Sequence, residues 1–96
     1  MPAYVIADVT VTDQVTMDEY RKHVPATLAK YGGRFLVRGG AHQTIEGEWK
    51  PSRLVILEFP SMADARRWYD CEEYRGPKAL RMKAGRSNVV MVEGAV

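Results

Sequence analysis

The chain has 96 residues, 46% of them hydrophobic and 27% charged, the usage of one globular domain over 1–96 rather than of two domains, a disordered chain or a fibre. Fourteen Lys and Arg against twelve Asp and Glu leave a formal charge of +2, too near neutral for a dedicated nucleic-acid binder. No apolar run approaches the roughly 18 to 20 residues that span a bilayer, Met1 to Tyr4 offers no charged leader before an apolar stretch, and a single cysteine, Cys71, can form no internal disulfide, so a reducing cytoplasm is expected and membrane or secretion is not.

Tyr4 to Val11 alternates between Tyr4, Ile6, Asp8, Thr10 and Val5, Ala7, Val9, Val11, which predicts a strand. Thr16 with Glu19 reads as a capping box that opens a helix. Its buried stripe is Met17, Tyr20, Val24, Leu28 and Tyr31. Pro25 lies inside that stripe and predicts a kink or break near His23, and Gly32 with Gly33 ends the helix. Arg34 to Arg38 alternates again as a second strand, closed by Gly39 and Gly40. His42 to Ile45 reads as an irregular edge and Gly47 to Pro51 as a turn carrying Trp49. Arg53 to Phe59 is the most hydrophobic strand, stopped by Pro60 before Ser61, which caps a second helix with the stripe Met62, Ala65, Trp68, Tyr69. In Glu72 to Arg86 a helix is interrupted by Gly76 and Pro77, with Pro77 able to open a short segment through Met82. Ser87 to Glu93 is a fourth strand. No internal repeat is present.

The order strand, helix, strand, strand, helix, strand is the ferredoxin-like βαββαβ arrangement of the α+β class, with both helices on one face of a four-stranded antiparallel sheet. Val5, Ala7, Val9, Val11, Phe35, Val37, Val55, Leu57 and Phe59 are assigned to the covered face. The opposite face then carries Tyr4, Ile6, Asp8, Arg34, Leu36, Arg38, Leu54, Ile56 and Glu58, too apolar to stay wet. Pairing two such faces would bury it, enclosing a partly polar cavity, so a homodimer is expected.

The stretches Tyr31 to Gly40 and Leu57 to Ser61, the pairs Trp68-Tyr69 and Glu73-Tyr74, and Arg81 together resemble family 1330 of the domains of unknown function. That resemblance spans nearly the whole chain and implies the dimeric α/β-barrel superfamily, but no activity. Cys71 stands where the family usually has serine.

Asp8, Arg38 and Glu58 are the charges assigned to the enclosed face, where they either orient a small acid or form a structural ion-pair network. Trp68, Tyr69, Tyr74 and Arg81 either line an entrance for an anionic or planar molecule or simply pack. His23 and His42 are the two histidines, and neither has the spacing of a metal pair. The acidic neighbours of Cys71 disfavour its thiolate, and the glycines lack nucleotide-loop spacing. No cofactor or metal is therefore expected. The functional expectation is small-molecule binding, or cofactor-independent catalysis on a small anionic or aromatic metabolite, in a cavity of the dimer; the competing expectation is a structural or stress-associated dimeric protein.

Overall fold

The computed structural model describes residues 1–95. Its elements are β1 (Ala3–Val11), α1 (Gln14–Lys30), β2 (Arg34–Arg38), β3 (Leu54–Phe59), α2 (Met62–Asp70), α3 (Glu72–Ala84) and β4 (Gly85–Glu93). The strands form one antiparallel sheet in the order β2-β3-β1-β4, which is the ferredoxin-like arrangement. In a single chain this sheet is open, with β2 and β4 as its edges, and not a closed barrel. Among the described residues no helix is long and apolar enough to cross a membrane.

Local chemistry sets the helix ends. Asp13, rather than Thr16, caps α1: its carboxylate accepts the Thr16 backbone N–H at 3.1 Å and the Thr16 hydroxyl at 2.7 Å. Helix α1 then runs without a break through Pro25, so the division expected near His23 is not found. Val24, Thr27 and Leu28 are buried on either side of the proline, and that packing outweighs the one backbone hydrogen bond Pro25 cannot make. At the far end Gly33 N–H reaches Leu28 C=O at 2.9 Å and Gly32 N–H reaches Ala29 C=O at 3.2 Å, the paired bonds of a left-handed helix stop. Gly32 supplies the positive φ of 75° that this stop needs. Ser61 caps α2 as expected, accepting the Asp64 N–H at 3.1 Å. Helix α3 is longer than expected and continuous through Gly76 and Pro77, anchored by buried Tyr74, Arg81 and Ala84. His42 to Ile45 forms no strand.

The core is Val5, Val24, Leu28, Leu57, Phe59, Ala65, Trp68 and Tyr74, joined at one end by Val9, Met17 and Ala84. Strand register explains how the two faces sort. Under the helices one row crosses the sheet as Phe35, Leu57, Val5, Met91 and the next as Arg38, Val55, Ala7, Val89. On the open face the rows are Arg34, Glu58, Tyr4, Val92 and Val37, Ile56, Ile6, Val90. Val37 and Arg38 are thus on the opposite faces from those expected. The cause is an irregularity between Phe35 and Val37, where Leu36 is the extra residue; one inserted residue reverses the side taken by everything after it.

Candidate functional site

Arg38, carried under the helices by that bulge, lines a cavity between the sheet and the helices of the same chain. The floor is the row of short side chains Val55, Ala7 and Val89. These three are only partly buried despite lying on the covered face, because nothing long fills the space above Ala7. The walls are aromatic. Trp68 stacks on Tyr74 with ring centroids 4.2 Å apart and on Phe59 at 5.4 Å. The Trp68 indole N–H donates to the Thr27 hydroxyl at 3.0 Å, and that hydroxyl donates to Val24 C=O at 2.8 Å, so the ring is fixed by a satisfied buried chain. Tyr20 and Tyr69 complete the aromatic lining with Phe35.

Four arginines, Arg21, Arg38, Arg53 and Arg81, line this cavity, and among the described residues no Asp or Glu does. Arg38 lies over the Phe35 ring, 4.3 Å from its centre. Arg53 donates to the Arg38 carbonyl at 3.5 Å, and its guanidinium rests where a side chain on Gly39 would stand, 2.6 Å from an ideal Cβ. Glycine at 39, at a φ of 74°, is therefore what lets the Arg53 group reach the mouth. Burial, followed by the like charges of Arg21 and Arg38, pulls the Arg53 pKa below its ordinary value. Arg21 has an exposed partner in Asp18 at 3.5 Å. Such a cluster is repulsive in itself, and an anion relieves it.

Arg81 is 7% exposed. Among the described residues its one side-chain hydrogen bond is from Nε to the Tyr74 hydroxyl at 3.4 Å. Burial opposes its charge, but the phenols of Tyr74, Tyr20 and Tyr69 outweigh that, so the group stays protonated. The Tyr20 and Tyr74 hydroxyls are 2.9 Å apart, and burial pushes the Tyr20 phenol far above the usual tyrosine range. Tyr20 is therefore a neutral hydrogen-bonding group at physiological pH.

Of the seven candidates drawn from the sequence, Arg38, Trp68, Tyr69, Tyr74 and Arg81 come together here. Asp8 and Glu58 do not. Glu58 pairs with Arg34 across the open face, Nη2 to Oε1 at 2.6 Å, and Asp8 accepts from Trp49 Nε1 and Ser52 N–H, each at 2.9 Å. Arg38 and Glu58 thus share neither a face nor a cavity. Tyr20, Arg21 and Arg53 are not among the sequence candidates: Tyr20 reads as helix stripe, Arg21 lies off that stripe, and Arg53 reads as the start of a strand. His23 bonds Glu19 at 3.2 Å and His42 bonds Pro51 C=O at 2.8 Å. Among the described residues no group of three His, Cys, Asp or Glu could hold a metal.

A ferredoxin-like α+β protein with a basic, aromatic cavity under its helices is the class this geometry defines. The chain belongs to the family described as "Domain of unknown function (DUF1330)", which matches residues 2–95. No curated protein matches it. Among solved structures it is similar to the RPA0582 protein of unknown function from Rhodopseudomonas palustris, with a TM-score of 0.78 at 16% identity over 99% of this chain and 83% of that one. It is also similar to a dimeric ferredoxin-like protein of unknown function from Jannaschia sp. CCS1, with a TM-score of 0.73 at 12% identity over 98% and 100% of the two chains. A third is SnoaB, a cofactor-independent oxygenase from Streptomyces nogalater, with a TM-score of 0.66 at 11% identity over 99% and 94%. At these identities the likeness shows the fold.

Proposed function

We propose that the protein binds a small, planar, anionic molecule in the cavity between the sheet and helices of each chain. The observation that carries this reading is that, among the described residues, four arginines and no Asp or Glu surround a space with aromatic walls and a floor centred on Ala7. A guanidinium offers five donors that engage a carboxylate two at a time, and aromatic walls favour a flat apolar body. The cavity holds about 70 Å³, less than the roughly 150 Å³ of an engineered cavity that admits benzene. Entry of an aromatic acid therefore requires Arg38 and Arg53, the exposed and half-exposed side chains at the mouth, to swing outward. No cofactor is invoked in this reading.

The open face supports a homodimer. Val37, Ile56, Ile6 and Val90 form an apolar row across all four strands, flanked by Val92 and Leu36, 46% and 45% exposed, and one similar solved structure is described as dimeric. A reducing, cytoplasmic setting suits the free Cys71 thiol.

Calorimetric titration with a series of aromatic monocarboxylates tests the binding reading. The expected result is saturable binding by at least one acid, weakened tenfold or more in Arg53→Met and absent for the matching neutral amide. Equal heats for acid and amide, or unchanged affinity in Arg53→Met, overturn it. Catalysis is a second reading, since SnoaB is an oxygenase without a cofactor and the Tyr74 hydroxyl, held between Tyr20 and Arg81, borders the cavity where it can hydrogen-bond a bound molecule. Oxygen consumption with a bound aromatic acid, abolished in Tyr74→Phe, would favour it.

A further inference from the structure

On its other side Arg81 lines a second, wider pocket between α3 and β4, of about 320 Å³, together with Tyr69, Met82, Gly85, Ser87 and Val89. Ser87 is half-buried as a residue, but its Oγ is fully buried and has no hydrogen-bond partner. Two unmet demands therefore converge on one place. Among the described residues the buried guanidinium has no carboxylate paired with it and the buried hydroxyl has no acceptor. Each is costly alone, and one acceptor bearing a negative charge answers both.

We propose that Arg81 and Ser87 form a subsite for the carboxylate of a small monocarboxylic acid with a short apolar body. One carboxylate oxygen accepts from the Arg81 guanidinium and the other from the Ser87 hydroxyl. The lining holds a single cation, which matches a monoanion and not a phosphate dianion. Lys78, another cation of α3, is engaged elsewhere: its Nζ donates to Tyr69 C=O at 3.2 Å and lies 4.2 Å from the centre of the Tyr69 ring. Met82, Val89 and the Tyr69 ring give the apolar body its walls. This subsite shares Tyr69, Arg81 and Val89 with the aromatic cavity but occupies a different space, since Ala7 lines only the one and Ser87 only the other.

The test is thermal unfolding in propionate at constant ionic strength, with propionamide as the neutral control. The wild type should show a saturable rise in melting temperature with propionate and none with propionamide. Ser87→Ala should weaken the propionate affinity about tenfold, the loss of one hydrogen bond to a charged group. Without propionate the same variant should be as stable as the wild type or more so, because it removes an unpaired hydroxyl. Arg81→Met should abolish the response; if that variant fails to fold, Arg81→Lys serves and should bind more weakly, keeping the charge but losing the planar fork. Ala7→Leu should leave the propionate response intact, which separates this subsite from the aromatic cavity. Equal responses to propionate in wild type and Ser87→Ala, a response to propionamide as large as to propionate, or no saturable response at all overturns the proposal.

Discussion

The indole N–H of Trp49 donates to one oxygen of the Asp8 carboxylate at 2.9 Å while the Ser52 backbone N–H donates to the other at 2.9 Å. One aspartate on the open face thereby holds down the long connection between β2 and β3, an element with no regular structure over 40–53. The hydrogen bond from Trp49, the largest influence, together with those from Ser52 and Arg53 outweighs the opposing desolvation and holds the Asp8 carboxyl below its ordinary value of 3.8. A depressed folded-state pKa means the tether is complete above that ordinary value and is lost as pH falls through the depressed one. Trp49 emission, taken as the difference between wild type and Trp49→Phe, should stay constant from neutral pH to about 4 and change below. Asp8→Asn should give the changed emission already at neutral pH; an unaltered spectrum in that variant would remove the tether.

Thr27 and Trp68 couple α1 to α2 through a buried hydrogen bond of 3.0 Å. Thr27→Val keeps the shape and strands the indole N–H, so urea unfolding should show a loss of about 1 to 3 kcal/mol. Trp68→Phe removes the donor as well as the larger ring, and Thr27→Val added to it should cost much less than it does alone, because the stranded donor is gone. Additive losses would mean that the bond contributes nothing.

Ala7 lies on β1 under the helices and Ala65 on the buried side of α2, yet Ala65 is 0% exposed and Ala7 borders the cavity. Extending Ala65 to leucine should cost about 1 to 3 kcal/mol through overpacking. Ala7→Leu has space to enter and should cost less than about 1 kcal/mol, while displacing any ligand from the aromatic cavity. Equal losses at the two positions in denaturant titrations would show that the space is not there.

Ile56 and Ile6 sit opposite each other at the centre of the open face. A homodimer through that face predicts a particle of twice 10.8 kDa by light scattering at micromolar concentration. Ile56→Asp should shift it to monomer or aggregate, and Lys30→Asp on the helix layer should not. A wild-type monomer would contradict the assembly.

Much of the fold was legible because alternation and turn chemistry agreed: β1 reads as a strand from its period, and Ser61 announces α2. What failed was local and cooperative. The two prolines inside helices were read as breaks, since a sequence shows the missing N–H but not the packing of Leu28 or Tyr74 that outweighs it. Asp13 lost to Thr16 as a cap because the capping-box pattern was counted and the Asp13–Thr16 contact could not be. The bulge at Leu36 leaves no periodic signature, so Arg38 was placed beside Glu58 when the two face opposite ways. Arg21 and Arg53 join Arg38 and Arg81 only through the tertiary fold, from α1 and the entry to β3; separately each resembles an ordinary surface charge.

The central claim is that the ligand site lies under the helices of a single chain and not between paired sheets, and methyl NMR during titration with an aromatic monocarboxylate tests it most directly. The methyls of Ala7, Val55 and Val89, which form the cavity floor, should shift progressively and saturate, while those of Ile6, Ile56 and Val90 on the open face should not move. Shifts confined to Ile6, Ile56 and Val90, with Ala7 unmoved, would contradict it.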